Sequence, residues 1–239
     1  EMISGVNTLV VAKRPSDQVL IINSLLDSEK RLLLEKPLAP TIESYTNLID
    51  GLKFNNTSFS VGYLFEFTPW ARSITELAKT KTFLEANLEW TVITNSRTWK
   101  VNPESGGGLT MYYAVHILPL LYALGNLIEI DYSEFKVSTE NYFQTFFCNY
   151  SNYTMVLKVT ISLGGKNAFH FSIQSDEPKN NYQYDASSPF GYENRDGQID
   201  NRVSFLRQYL SKYLENTSSN YKELKIEESL LSWLISMNR

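Results

Sequence analysis

The sequence is poor in the residues that cross-link chains or bind soft metals. It holds one cysteine, Cys148, and two histidines, His116 and His170, among 239 residues. A lone cysteine excludes a disulfide within the chain, and so few soft ligands do not make a zinc site. We therefore expect no metal site and a reducing, cytoplasmic environment.

The sequence also lacks an excess of charge of one sign and a long apolar run. Its 22 Lys and Arg residues stand against 26 Asp and Glu residues, a formal net charge of −4. A nucleic-acid-binding domain needs clustered positive charge, and a membrane span needs about 20 consecutive apolar residues. We therefore expect neither a nucleic-acid partner nor a membrane partner. The hydrophobic fraction of 43% is ordinary for a globular protein.

The N-terminal part of the chain predicts a strand, a helix and a second strand. Residues 8–12 and 31–35 are short apolar runs, typical of strands buried on both faces, and the segment between them has helical spacing. Such a unit joins parallel strands, and an open parallel sheet binds ligands beyond the carboxyl ends of its strands. Lys13-Arg14-Pro15 and Glu35-Lys36-Pro37 are therefore expected at a ligand-binding edge.

Three consecutive glycines, Gly106 to Gly108, open an apolar segment that is predicted to be helical over residues 109–124. A glycine turn at a helix start leaves free N–H groups that can face a ligand. Tyr112 and His116 are four residues apart and share one face of an α-helix, where a phenol and an imidazole can handle a proton. The alternative, which spacing alone favours, is that both are core residues with satisfied hydrogen bonds.

The remainder of the chain predicts a second, mainly antiparallel sheet. Helices over 41–52 and 67–79 and a strand over 59–63 precede a long strand over 83–94, and four strands with turn residues between them follow from 132 to 173. The polar stretch 176–201 is predicted to be a long loop, in which Tyr182, Tyr184 and Tyr192 either cover a cleft or are disordered. Amphipathic helices over 202–215 and 226–237 complete the chain.

In this order the motifs resemble those of the glucose-fructose oxidoreductase and inositol dehydrogenase family. Residues 10–16 resemble the family's strand and Thr-Pro turn beside the nicotinamide, and residues 33–39 are very similar to its Glu-Lys-Pro signature. Val61-Gly62-Tyr63 resembles its next strand, Trp99-Lys100 its Trp-Arg pair, and residues 106–116 its catalytic helix. The resemblance covers essentially the whole chain.

The resemblance implies an α/β and α+β fold in two domains. Residues 1–65 correspond to the C-terminal part of a Rossmann-type parallel sheet, packed with the last helix, and residues 66–239 to a substrate-binding and oligomerisation domain with a large, mainly antiparallel sheet. The implied activity is hydride transfer between NAD or NADP and a hydroxyl or keto carbon of a sugar, sugar nucleotide or cyclitol. A homodimer or tetramer formed through the C-terminal sheet is implied as well, as is a cis peptide before Pro37.

The resemblance also assigns roles to individual residues. Lys36 is expected to hydrogen-bond the reacting oxygen, His116 to exchange the proton, and Tyr112 to orient His116 or to join Lys36. The candidates for cofactor contacts are Lys13, Arg14, Pro15, Glu35, Lys36 and Pro37. The candidates for substrate contacts are Tyr63, Arg97, Trp99, Lys100, Tyr112 and His116, with Phe65 as a further aromatic side chain, although several of these could equally be surface or core residues.

The sequence departs from the family pattern at several positions. Tyr112 stands where the family carries an aspartate, Ala114 where it carries a glycine, Pro119 where an aspartate is frequent, and Glu66 where many members have arginine. The Gly-x-Gly-x-x-Gly turn and the acidic residue that contacts the ribose are expected before residue 1, and nothing in the printed sequence replaces them.

The missing phosphate-binding turn leaves two interpretations. We expect a truncated chain of an NAD(P)-dependent oxidoreductase, inactive and binding dinucleotide poorly by itself. The alternative is a catalytically silent family member that acts as a binding or dimerisation module.

Overall fold

The computed structural model describes residues 5–93, 98–175, 181–191, 200–215 and 220–237. Within these residues the strands are β1 (Thr8–Val11), β2 (Arg31–Leu34), β3 (Phe59–Val61), β4 (Phe83–Val92), β5 (Leu127–Val137), β6 (Asn141–Tyr150), β7 (Thr154–Leu163), β8 (Ala168–Gln174) and β9 (Tyr182–Ala186). The α-helices are α1 (Pro15–Asn23), α2 (Ile42–Phe54), α3 (Pro69–Leu77), α4 (Ile117–Ala123), α5 (Asn201–Glu215) and α6 (Asn220–Ser236). None of the described helices is long and apolar enough to cross a membrane.

The chain divides into two compact units. The first comprises Glu1–Tyr63, Arg97–Val115 and Leu210–Arg239, and the second comprises Leu64–Ser96 and His116–Tyr209.

The first unit is built on a three-stranded parallel sheet with strand order β1-β2-β3. Val11 pairs with Leu34, and Leu34 pairs with Val61, so the three strands end at the same level. Helices α1 and α2 provide the crossovers that parallel strands require. The expected partial Rossmann-type sheet is therefore confirmed, and the turns after its strands meet at one edge.

Proline and hydroxyl side chains begin the helices of both units. Pro15 is in the first turn of α1, where its missing N–H removes no helical hydrogen bond. Thr41 and Ser44 form a reciprocal capping box at α2, in which each hydroxyl accepts from the other residue's main-chain N–H. Thr68 caps α3, and Pro69 follows it as the first helical residue.

The C-terminal helix closes the core of the first unit. Helix α6 packs against α2 and β3, and this packing buries Leu230 and Trp233 completely. Burial of such large apolar side chains is the main favourable contribution to folding. At the rim, Lys53 of α2 donates to Glu228 of α6 at 2.6 Å.

The second unit is built on a six-stranded sheet with order β5-β6-β7-β4-β8-β9. Strand β4 runs parallel to β7, and every other neighbouring pair is antiparallel, as the expectation of a mainly antiparallel sheet requires. Trp70 of α3 packs on Phe169 and Phe171 of β8. The Tyr150 hydroxyl donates to the main-chain oxygen of Leu121 in α4 at 2.8 Å, which ties that helix to the sheet.

The prediction of a continuous loop over residues 176–201 is wrong. The stretch contains β9, which pairs antiparallel with β8 and places Tyr182 and Tyr184 in a strand. The alternation Tyr182-Gln-Tyr184-Asp185 favours a strand despite its polar composition, because aromatic residues pack well on a pleated surface. The His170 Nδ1 and the Asp185 carboxylate, 2.7 Å apart, add a cross-strand pair. Tyr192 lies outside the described residues.

The glycine-opened segment is not one regular α-helix. It runs as a π-helical turn over Leu109–Tyr113, a 3-10 turn over Ala114–His116 and only then as α4. Pro119 has no N–H to complete the α-helical ladder one turn back, which accounts for the irregular bonding before α4. The shared α-helical face that was predicted for Tyr112 and His116 therefore does not exist as such, because four-residue spacing aligns side chains only in a regular α-helix.

Candidate active site

Lys36 follows β2 at the edge where the parallel strands end, and Tyr112 fixes its side chain. The half-buried Lys36 ammonium donates to the Tyr112 main-chain oxygen at 2.7 Å and lies 3.7 Å from the centre of the Tyr112 ring. A hydrogen bond and a cation–π contact from one residue hold the ammonium in a defined place.

The main chain on both sides of Lys36 is held by Gln18, a completely buried residue of α1. Its Nε2 donates to the main-chain oxygen of Glu35 at 2.6 Å, and its Oε1 accepts from the Glu35 N–H at 3.2 Å. Longer contacts of 3.3 and 3.4 Å run from Nε2 to the oxygens of Pro37 and Leu38. A single amide thus contacts the main chain before and after Lys36, and the Glu35 N–H also donates to the Val11 oxygen at 3.1 Å.

An aromatic and cationic group surrounds the Tyr112 ring. The Trp99 ring stands at 90° to it with the centroids 5.3 Å apart, and the Tyr113 ring lies at 83° and 4.8 Å. The Lys100 ammonium lies 5.3 Å from the Tyr112 ring centre. Trp99, Lys100 and Tyr112 were expected at a substrate site, and the structure brings them together with Lys36 in the first unit.

The glycine run allows this arrangement by close main-chain approach. A Cβ at Gly107 would lie 2.2 Å from the Trp99 main-chain oxygen and 2.6 Å from the Lys100 carbonyl carbon, so only glycine fits there. Gly106 and Gly108 adopt φ values of 79° and 85°, a region that other residues rarely enter. The glycines therefore hold the Trp99-Lys100 turn against the segment that carries Tyr112.

His116 belongs to the second unit, where it is buried with 4% of its surface exposed. Its ring stacks on Phe65 at 4.5 Å with an angle of 13°, and Phe190 presents an edge at 6.3 Å. The aromatic contacts fix the plane of the imidazole.

Tyr63, expected to contact substrate, is instead buried with its hydroxyl directed to Glu227. The Tyr63 hydroxyl donates to Glu227 Oε2 at 3.4 Å, and the Tyr45 hydroxyl also donates to this oxygen. Burial raises the pKa of Glu227 to about 8; the two tyrosine hydrogen bonds oppose this shift, and the charge of Glu223 adds to it. Burial likewise raises the pKa of Tyr45 and that of Tyr63 well above the ordinary value.

The residues expected to contact cofactor lie in the turns after β1 and β2. Lys13 and Arg14 are exposed, with Arg14 3.6 Å from Asp17, whereas Pro15 is buried. Glu35 is exposed and Pro37 is buried, and the Lys36–Pro37 peptide is cis, as the resemblance implies. Arg97, a substrate candidate, lies outside the described residues.

Two buried polar residues, Gln18 and Glu227, were not predicted from the sequence. Gln18 is a polar residue on a helix whose other inward positions, Pro15 and Ile22, are apolar. Glu227 precedes Leu230 and Leu231 by three and four residues, which places it on the apolar stripe of α6. In both cases the sequence held one signal of a buried polar residue, namely a polar side chain at a helical position that faces the core.

Comparison with known proteins identifies the fold. No protein-family model and no curated protein matches the sequence. Solved structures do match: GenD2 from gentamicin A biosynthesis in complex with NAD has a TM-score of 0.65 at 14% identity, over 98% of this chain and 76% of that chain. The WlbA dehydrogenase from Thermus thermophilus, in complex with NAD and UDP-GlcNAcA, has a TM-score of 0.61 at 16% identity, over 95% of this chain and 70% of that chain.

A myo-inositol dehydrogenase from Corynebacterium glutamicum has a TM-score of 0.64 at 12% identity, over 97% of this chain and 78% of that chain. The chain therefore has the fold of these dehydrogenases, a partial Rossmann-type sheet joined to a large, mainly antiparallel sheet. This is the fold that the sequence resemblance implies.

The edge at which the parallel strands end is polar. The strand ends of the parallel sheet, with the fixed Lys36 ammonium beside the cis Pro37, supply a polar edge of the kind where open parallel sheets bind ligands. A glycine-rich turn for the pyrophosphate has no counterpart in the printed sequence.

Proposed function

We propose that this protein is an NAD(P)-dependent oxidoreductase of the glucose-fructose oxidoreductase and inositol dehydrogenase family. It transfers a hydride to or from a hydroxyl or keto carbon of a sugar, sugar nucleotide or cyclitol. The observation that carries the proposal is the Lys36 ammonium, which Tyr112 fixes at the carboxyl end of a parallel strand in a fold shared with NAD-bound dehydrogenases.

Lys36 acts on the oxygen of the reacting carbon. The nicotinamide, when bound, supplies or accepts the hydride. The Lys36 ammonium donates a hydrogen bond to the substrate oxygen and stabilises the negative charge that develops on it. The bond from the Lys36 ammonium to the Tyr112 main-chain oxygen, 2.7 Å long, holds the ammonium in place for this contact.

His116 exchanges the hydroxyl proton. An imidazole ring has two nitrogens that can donate or accept a proton, which makes histidine the residue most often used as a general acid or base. Stacking on Phe65 holds the ring plane, which reduces the freedom lost when substrate binds. The resemblance is what assigns this role to His116.

The turns after β1 and β2 are proposed to face the nicotinamide. Lys13, Arg14 and Pro15 lie in the first turn, and Glu35 and Pro37 flank Lys36 in the second. We also propose that the six-stranded sheet joins copies of the protein into a homodimer or tetramer.

One observation favours the second candidate function, a catalytically silent binding module. Tyr112 stands where the family carries an aspartate, and its ring and main-chain oxygen both engage the Lys36 ammonium. A phenol supplies no negative charge to balance a lysine and a histidine. The two functions differ in whether the protein turns over a sugar or cyclitol with a nicotinamide cofactor.

The test uses protein made from the complete coding sequence. Reduction of NAD⁺ and NADP⁺ is followed by absorbance with a panel of sugars, sugar nucleotides and cyclitols. On the substrate so found, Lys36→Met and His116→Asn are expected to lower kcat/KM at least about 100-fold, since general acid–base groups typically contribute 10²–10⁴-fold. The matched controls are Lys79→Met, at an exposed lysine paired with Glu76, and His170→Asn, at the only other histidine of the sequence.

Turnover that disappears in the two variants and persists in the two controls supports the oxidoreductase. Full turnover in Lys36→Met or His116→Asn removes that residue from the mechanism. A protein that binds sugars but never reduces either cofactor supports the silent module instead.

A further inference from the structure

Helix α6 carries a carboxyl group into the interior of the first unit. Glu227 is completely buried and shares the inward face of the helix with the buried Leu230 and Leu234. Its Oε2 accepts a hydrogen bond from the Tyr45 hydroxyl of α2, and a second one, 3.4 Å long, from the hydroxyl of Tyr63, which follows β3. The carboxyl group therefore links α6 to both elements on which the helix packs.

The other oxygen of this carboxyl group has no hydrogen-bond partner. Glu227 Oε1 is buried, and no donor among the described residues reaches it. An ionised carboxyl group would place negative charge on this oxygen without compensation, which costs far more than burial of the neutral acid. The geometry therefore favours a protonated Glu227 for as long as α6 stays in place.

The titratable groups that face Glu227 also favour its neutral form. Tyr45 faces it from α2 and Tyr63 from the end of β3, and burial raises the pKa of both hydroxyls well above the ordinary value, so they remain neutral donors. Burial raises the pKa of Glu227 to about 8; the Tyr45 hydrogen bond opposes this shift, and the charge of Glu223, one turn earlier in α6, adds to it. The proton on Glu227 thus depends on the interior position of the group.

Helix α6 can leave its place without breaking a sheet. An α-helix satisfies its main-chain hydrogen bonds internally, whereas β3 shares its ladder with β2. The polar contacts described between α6 and its neighbours are made by side chains, namely the two tyrosine bonds to Glu227 and the pair of Lys53 with Glu228. Detachment of α6 brings Glu227 into water, where an ordinary pKa near 4.3 makes it release the proton at neutral pH.

We infer that Glu227 is a pH-sensitive switch for α6: with its proton the side chain holds the helix against α2 and β3, and loss of the proton releases the helix while the parallel sheet stays folded. Because opening releases one proton, the open fraction is expected to grow about tenfold per pH unit between about pH 4.3 and 8. The inference does not rest on the proposed function.

Amide hydrogen exchange of the protein from the complete coding sequence, measured at several pH values between about 5 and 7, tests the inference. Exchange from an open state of constant population rises about tenfold per pH unit, because hydroxide catalyses it. For the amides of α6 we expect a rise of about 100-fold per pH unit, since the open fraction grows as well. We also expect these amides to exchange at least about tenfold faster than those of β2, because the helix opens before the sheet.

Two variants assign the effect to one carboxyl group. Glu227→Gln keeps an acceptor for the tyrosine hydroxyls but cannot ionise, and it is expected to return the rise in α6 to about tenfold per pH unit. Glu228→Gln removes the neighbouring exposed carboxylate that pairs with Lys53, and it is expected to keep the rise of about 100-fold.

Three results overturn the inference. The first is a rise of only about tenfold per pH unit for α6 in the wild-type protein, a measurement that needs no variant to fold. The second is a rise of about 100-fold that persists in Glu227→Gln. The third is equal exchange rates in α6 and β2, which would mean that the first unit opens as a whole. None of these measurements uses a cofactor or a substrate, so the oxidoreductase proposal is tested separately.

Discussion

The Gln18 amide bonds the main chain of Glu35 in both directions, with its Nε2 2.6 Å from the oxygen and its Oε1 3.2 Å from the nitrogen. The two residues belong to α1 and to the turn after β2. This reciprocal pair sets the main chain immediately before Lys36, so the position of the proposed catalytic ammonium depends on a completely buried side chain.

Replacing Gln18 is expected to destabilise the first unit. Gln18→Leu removes the hydrogen bond that the Glu35 main-chain oxygen accepts, whereas the Glu35 N–H keeps its bond to the Val11 oxygen at 3.1 Å. The expected loss is about 1–3 kcal/mol of unfolding free energy. Chemical denaturation followed by fluorescence measures it. Gln183→Leu, at an exposed glutamine of β9, is the control, with an expected change within about 0.5 kcal/mol. Equal stability of the Gln18 variant and the wild type would contradict the assigned role.

Gly107→Ala is expected to displace the Trp99-Lys100 turn. The added methyl group would meet main-chain atoms at 2.2–2.7 Å, which flexible side chains cannot relieve. We expect a loss of at least about 2 kcal/mol in unfolding free energy together with a changed Trp fluorescence spectrum. At Gly165 an added Cβ meets nothing within 4 Å, so Gly165→Ala is the matched control. Similar behaviour of the two variants would show that the close approach is not required.

The unfolding free energy of the first unit is expected to depend on pH because of Glu227, and the raised pKa of this carboxyl sets the direction. Its carboxyl has a raised pKa of about 8 in the folded protein and an ordinary one near 4.3 when unfolded, so the folded state binds the proton more tightly. The stabilisation that protonated Glu227 gives to the folded state is fully present below about pH 4.3 and is lost as the pH rises towards 8. The expected fall in unfolding free energy is on the order of 1 kcal/mol per pH unit across this window.

Glu227→Gln tests this assignment, because the neutral amide keeps the shape and still accepts from the Tyr45 hydroxyl. Denaturation at several pH values is expected to give a flatter profile for the variant than for the wild type. Glu228→Gln removes a neighbouring exposed carboxylate that pairs with Lys53 and is the control. Parallel profiles for Glu227→Gln and wild type would show that Glu227 is not held neutral.

Much of the fold follows from local patterns in the sequence. Continuous apolar runs predicted β1 and β2, and their parallel direction followed from the helix between them. Strand β9 did not follow, because its composition is that of a loop and its stability comes from pairing with β8. The break in helical bonding before α4 did not follow either, because the periodicity of apolar residues does not reveal the hydrogen bond that Pro119 cannot make.

The candidate site was predictable in its residue types but not in its contacts. Lys36 was singled out by its place after a buried strand. Its partners are a main-chain oxygen and a ring 76 residues away in the sequence, and no local pattern reveals such a pair. The structure also directs the Tyr63 hydroxyl to Glu227, a contact across 164 residues. Both contacts, Lys36 with Tyr112 and Tyr63 with Glu227, form through tertiary packing.

The most direct test of the oxidoreductase proposal is the binding of reduced cofactor. NADH and NADPH are titrated into the protein made from its complete coding sequence, and binding is followed by the fluorescence of the nicotinamide. We predict saturable binding of at least one of the two cofactors at micromolar concentration. Absence of binding to both would contradict the oxidoreductase and leave a silent member of the fold.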